Sequence, residues 1–125
     1  MKKMLFIFIP LLLSCVSQGN MTQPDETYPI EVDIRIYGSD SLLFSGECGN
    51  NSDTTKVDSI MVPVGSNNYI GYKSSIEDTS DIVFANFRKE EVEGGLRVSI
   101  YVDEHLKKWD ATSESYGTIY ITWKP

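Results

Sequence analysis

The stretch Ile30-Glu31-Val32-Asp33-Ile34-Arg35-Ile36-Tyr37 alternates an aliphatic side chain with a polar or aromatic one at every step. Successive side chains of an extended chain point to opposite faces, so this period of two predicts a strand with one buried and one solvated face. Beyond it, Gly38-Ser39-Asp40 supplies a turn, and residues 42–48 return with Leu42, Phe44 and Cys48 on a shared parity, the pattern of a hairpin partner. Residues 49–53 form a loop by composition. A third strand is expected over residues 56–64, where Ile60, Val62 and Val64 share a parity; Pro63 has no N–H to give a ladder, which makes this an edge or a strand end.

Further along, residues 65–68 turn the chain into a strand over 69–76, and residues 77–81 separate that from one over 82–89. Gly94 and Gly95 mark a tight reversal, after which Leu96, Val98, Ile100 and Val102 alternate with Arg97, Ser99 and Tyr101. The last strand sets Ile119, Ile121 and Trp123 opposite Thr118, Tyr120 and Thr122. Residues 103–116 read as a long connection with a short helical turn: Asp103 is placed to cap it, Glu104 and Lys108 have helical spacing, and Leu106 and Trp109 would close one end of the core. Seven short strands separated by turns predict an all-β antiparallel sandwich, with a small β-barrel as the alternative because a half-buried strand reads the same in either. In strand number and length the pattern resembles immunoglobulin-like domains; the Cys-Trp-Cys core of antibody domains is absent, so the resemblance extends to architecture alone.

Upstream, Met-Lys-Lys and the apolar run from Met4 to Leu13 have the charged-then-greasy order of an export signal, and the run is shorter than the ~20 residues of a spanning helix. It ends in Leu12-Leu13-Ser14-Cys15, which resembles the bacterial lipobox: an aliphatic residue at minus three, a small one at minus one, then cysteine. That resemblance implies removal of residues 1–14, lipidation of Cys15 and attachment to the membrane through the lipid. Stable anchoring takes more than one acyl chain, at about 0.8 kcal/mol per buried methylene. Val16, not an acidic residue, follows the cysteine; by the sorting rules of such lipoproteins the expected location is the outer membrane, on its periplasmic face or at the cell surface. Residues 15–29 then read as the lipidated cysteine and a polar tether, and residues 30–125 as the domain.

The whole chain carries 11 basic and 18 acidic residues, a net charge of -7, and loss of Lys2 and Lys3 with the leader deepens the deficit. Such a surface repels nucleic acid and anionic head groups. With Cys15 lipidated, Cys48 has no partner for an intramolecular disulfide and is expected to be a small buried apolar residue. Neither a metal nor a cofactor is expected. His105 is the single histidine, no Gly-x-Ser-x-Gly elbow accompanies it, and the acidic groups Asp78/Asp81 and Glu90/Glu91/Glu93 lack calcium-loop spacing.

Tyr37, Tyr101 and Tyr120 share the outward parity of their strands, so neighbouring strands would gather them into an aromatic stripe able to stack on a sugar ring or dock a protein. The plainer role of such tyrosines is cross-strand pairing on a solvated face. Asp40-Ser41-Leu42, Asp53-Thr54-Thr55 and Asp58-Ser59-Ile60 resemble the Asp-Ser/Thr-apolar acceptor of Bacteroidetes O-glycosylation, which implies Ser41, Thr54 and Ser59 as modified residues and a Bacteroidetes-like source. Together these readings point to a membrane-tethered, non-enzymatic binding or assembly module with a glycan or protein partner. The alternative is a small hydrolase or an enzyme inhibitor working through residues 103–116.

Overall fold

The computed structural model describes residues 27–65 and 67–125, so the expected leader, Cys15 and most of the expected tether lie outside the described residues. Eight strands follow one another with no helix among the described residues: β1 (Ile30–Gly38), β2 (Leu43–Gly49), β3 (Thr54–Met61), β4 (Ile70–Ile76), β5 (Val83–Lys89), β6 (Leu96–Val102), β7 (His105–Thr112) and β8 (Thr118–Trp123). They form two four-stranded antiparallel sheets, ordered β4-β1-β6-β7 and β3-β2-β5-β8. The expected sandwich is therefore the observed architecture. The barrel alternative is excluded, because β7 lies beside β8 but forms no ladder with it.

The alternation read from residues 30–37 sets the core. Val32, Ile34 and Ile36 are fully buried, and β1 is paired on both sides, with Ile34 opposite Tyr72 of β4 and Ile100 of β6. Leu96, Val98 and Ile100 continue this apolar layer, which meets Phe44, Val83, Ala85, Phe87, Ile119 and Cys48 of the second sheet. Each large aliphatic or aromatic side chain buried this way contributes about 1.5–3 kcal/mol relative to exposure. Phe44 and Phe87 meet edge to face at 5.7 Å, and Tyr72 of β4 stacks on Phe87 across the interface at 6.3 Å. Lys89 continues the inward parity of β5 and is fully buried, its Nζ donating to the carbonyl of Glu114 at 2.6 Å. This hydrogen bond ties the core to the loop between β7 and β8.

Three expectations change. Residues 103–116 contain no helical turn: residues 105–112 are edge strand β7, and Leu106 and Trp109 are exposed and do not close the core. The strands on either side of Gly38-Ser39-Asp40 are not a hairpin, since β1 and β2 belong to opposite sheets. Parity reports which face a residue takes, but a short turn can as well bridge the ~10 Å between sheets as the ~4.8 Å between neighbours. This crossing also limits the likeness to immunoglobulin domains, whose first two strands share a sheet, to strand size and sandwich form. Tyr28, assigned by the sequence to the expected tether, packs against the core. Pro63 follows the end of edge strand β3, in keeping with its missing donor.

Two consequences can be measured. Gly46 has φ +154 at the bulge where β2 meets β3, and an added Cβ would lie 2.1 Å from the Asn86 carbonyl oxygen and 2.7 Å from the Phe87 Cα. Gly46→Ala must push β2 from β5, and is expected to cost about 3 kcal/mol or more in urea denaturation; a loss below 1 kcal/mol would show that the two strands part freely. Cys48 is buried, and burial, with the charge of Glu47 as a smaller cause, pushes its thiol from 9.0 up to about 12. The unfolded chain releases this proton at lower pH than the native one, so this group's contribution is intact below pH 9 and is lost as pH rises towards 12. Cys48→Ala should therefore lose less stability than the parent between pH 8.5 and 11 on the same urea assay, and parallel pH curves would refute the assignment.

Candidate functional site

Burial of the aliphatic row of β1 and β6 forces Asp33, Arg35, Tyr37, Arg97, Ser99 and Tyr101 to the outer face of their sheet. There the guanidinium of Arg35 lies 4.0 Å from the centre of the Tyr101 ring and 4.9 Å from that of Tyr69, which precedes β4. Arg97 lies 5.5 Å from the Tyr37 ring and 4.9 Å from the Trp109 ring of β7. Tyr37 and Tyr69 complete the sequence at 5.3 Å, with their planes tilted by 48°. Rings and guanidinium groups thus form one run of contacts over β1, β6 and β7 and the residue before β4, each cation–π contact contributing roughly 0.5–2 kcal/mol according to its exposure.

The electrostatics of this face are local. Asp33 accepts from the Arg35 Nε at 2.9 Å, Glu104 stands 3.9 Å from its Nη2, and Lys73 lies 3.7 Å from the other Asp33 oxygen. The Asp33 hydrogen bond holds the Arg35 guanidinium more firmly protonated than usual, against the opposing effect of burial. Burial, followed by the neighbouring Tyr101, raises the Tyr37 hydroxyl above its ordinary value. Ser99 lies opposite Arg35 on one side and Trp109 on the other, and is 0% exposed, so the stacked side chains roof it. Its hydroxyl has no hydrogen-bond partner.

Two grooves flank the stack. One, of about 470 Å³, has Asp33, Arg35 and Tyr101 at its base and Lys73, Glu104 and His105 around it. The other, of about 520 Å³, lies at the far end of β1 and β6, beside Tyr37 and Arg97. Trp109 is 54% exposed and Tyr69 41%, so each keeps surface for a further contact.

Tyr37 and Tyr101, named from parity, are therefore brought together on adjacent strands. Tyr120 is not with them: it stands on β8, exposed on the outer face of the opposite sheet and paired with Asn86. Sequence reasoning missed Arg35, Arg97, Tyr69 and Trp109 as members of the face. For the two arginines the signal was present, because both share the outward parity of Tyr37 and Tyr101.

The remaining candidates are dispersed. Among the described residues the His105 side chain forms no hydrogen bond or ion pair, and no three His, Cys, Asp or Glu side chains are grouped to hold a metal. Asp81 is buried and accepts from the backbone N–H groups of Asn51, Glu77 and Ile82, fastening two loops together. Glu91 likewise accepts from the Leu43 N–H at 3.0 Å. Ser41 and Thr54 are exposed; Ser59, also exposed, donates to Glu90 at 2.8 Å. Among the described residues no helix is long and apolar enough to cross a membrane. No protein-family model matches the chain, and no curated protein matches it as a relative.

The β6–β7 turn beside the first groove holds two non-glycine residues at positive φ, Asp103 at 53° and Glu104 at 66°. A two-residue turn of this form favours glycine at its second position. Glu104→Gly should raise thermal stability by about 0.5–1 kcal/mol, since the side chain is exposed and its contact with Arg35 is long. A lowered melting temperature would mean that Glu104 holds Arg35 in place.

Proposed function

We propose that this chain is the precursor of an outer-membrane lipoprotein, anchored through Cys15 and facing the periplasm or the cell surface, whose sandwich domain is a non-enzymatic binding module. The stacked face of Tyr37, Tyr69, Tyr101, Trp109, Arg35 and Arg97 is the observation that carries this reading. Tryptophan, tyrosine and arginine are the side chains that concentrate binding energy at recognition surfaces. Here the rings are held by neighbouring guanidinium groups, so little side-chain entropy remains to be lost when a partner settles on them. The partner is a glycan or a protein that covers the exposed faces of Trp109 and Tyr69. The lipobox supports the anchor, and the exposure of Ser41, Thr54 and Ser59 is compatible with their use as O-glycosylation acceptors.

The test uses the acylated protein from membranes on a glycan array and against surface proteins of the source organism. Trp109→Ala with Tyr69→Ala is expected to weaken the signal at least tenfold, a loss of about 1.4 kcal/mol. Tyr120→Ala, on the other sheet, should leave it unchanged. Cys15→Ala should move the protein from the membrane to the soluble fraction. Undiminished binding by the double variant would overturn the face, and an unacylated native Cys15 would overturn the anchor.

A further inference from the structure

Four strands stand at sheet edges, and three of them are guarded. The ladder of β7 is bulged and its sequence holds Lys107, Lys108 and Asp110, while β8 lies against β7. The ladder of β3 is bulged beside Ser59, itself at φ 47°, and the chain then runs into Pro63. Bulges, charges and prolines keep an edge row of N–H and C=O groups from taking on another strand. β4 has neither bulge nor proline: its seven residues pair with β1 without a shift and carry one charge, Lys73. The Asn50 side chain donates to the Ser75 carbonyl at 2.8 Å and so occupies the far end of the strand. Among the described residues, only the β1 ladder is hydrogen-bonded to the backbone of residues 70–74. Since β7 faces β8, β4 and β3 share the other flank, and there Ile70 and Tyr72 are only half-buried. Ile60 of β3 is 37% exposed on this flank although it pairs with the buried Phe44.

We propose that this edge pairs with β4 of a second copy of the chain, antiparallel about a twofold axis at Tyr72. Opposed residues of an antiparallel pair share a face, so keeping both cores on one side leaves few registers. A twofold at Lys73 sets like charges directly opposite each other, and one at Ser74 or Ser75 runs into the carbonyl held by Asn50. A twofold at Gly71 pairs only the start of the strand, whereas the one at Tyr72 pairs all of residues 70–74. It sets Lys73 of each copy across from Gly71 of the other. The missing side chain of Gly71 leaves a notch: a Cβ there would lie 3.4 Å from Asp33 Oδ1 and 3.4 Å from the Tyr69 ring. The four-carbon stem of the facing lysine crosses this notch and carries its ammonium to Asp33 Oδ1. In its own chain that oxygen has a long ion pair of 3.7 Å with Lys73, whose side chain is 68% exposed, while Arg35 takes Oδ2. Backbone pairing alone accepts any extended strand; the Gly71–Lys73 spacing, with Asp33 behind the glycine, matches itself twice about the axis and selects a second copy. Each Tyr72 meets its twin, covering surface left open at the flank, and two four-stranded sheets become one of eight with both stacked faces on the same side.

Sedimentation of the purified full chain in detergent, with micelles in excess over protein, is expected to give a mass of two chains. Lys73→Glu, which sets a carboxylate against Asp33 of the other copy, should weaken the association at least tenfold. The register is read by oxidising Gly71→Cys and Lys73→Cys chains, each alone and then mixed. Facing Cα atoms of an antiparallel pair stand ~4.5–5.5 Å apart, within disulfide reach. A Cβ at position 71 meets only ordinary van der Waals neighbours, and Lys73 is exposed, so both variants keep the fold. The mixture should yield a cross-linked pair whose disulfide maps to residues 71 and 73, and neither variant alone should cross-link through its new cysteine. A mass of one chain, association indifferent to Lys73→Glu, or a mixture without the 71-to-73 bond would overturn the inference. So would a single chain that takes up an extended segment of another protein at this edge.

Discussion

Everything on the outer face depends on the burial of the row Val32, Ile34 and Ile36 between two neighbouring strands. A strand has two faces and a period of two, so committing these three side chains to the core commits Asp33, Arg35 and Tyr37 to the opposite side. The same holds for β6, where burial of Leu96, Val98 and Ile100 sends out Arg97, Ser99 and Tyr101. Because β1 and β6 are adjacent and antiparallel, with Arg35 opposite Ser99 and Tyr37 opposite Arg97, the outward residues interleave rings with cations. The small Ser99 leaves room for Arg35 and Trp109 to close above it, at the expense of an unpartnered hydroxyl. Core packing and the candidate site are therefore two sides of one register.

Much of this was legible along the chain, and what was not has a physical reason. The strands with strict alternation, residues 30–37 and 96–102, show themselves because each has one wet and one dry face. Strand β7, His-Leu-Lys-Lys-Trp-Asp-Ala-Thr, has no buried row: it stands at the sheet edge with seven of its eight residues exposed, and a shift of register near Ile100 and Tyr101 breaks its phase. With no apolar parity to read, the Glu104 and Lys108 spacing imitated a helix. Charges on such a strand also discourage pairing with another chain. Trp109 was misplaced for the same reason, since an isolated tryptophan in a polar stretch looks like a core lid.

Sheet membership is the second thing that parity cannot carry. Tyr120 obeys the same outward rule as Tyr37 and Tyr101, yet the chain crosses between sheets at most of its turns, and β8 falls on the far layer. The face is consequently not a stripe of three tyrosines. Two of them, joined by Tyr69 and Trp109, are held in place by arginines that composition alone would count as solvated charge. Alternation of this kind fixes rings that would otherwise rotate freely, which is the difference between an aromatic surface and a preorganised one.

The placement of the two grooves bears on how a tethered domain would meet its partner. The chain enters the domain at Thr27, which lines the groove of His105 and Glu104, while Tyr37 and Arg97 lie at the other end of β1. Nine residues of strand separate the two ends by ~27 Å. With Cys15 as the anchor that we propose, the twelve residues from there to Thr27 span at most ~43 Å. The Arg97 groove thus opens at the end of the sheet opposite the chain's entry, with the acidic Glu93 and Glu114 close by in sequence. Asp33, Lys73 and Glu104 surround Arg35 at the entry end, whereas Arg97 at the other end has no ion-pair partner among the described residues, so one register of rings and cations gives the two ends of the same face different electrostatic surroundings.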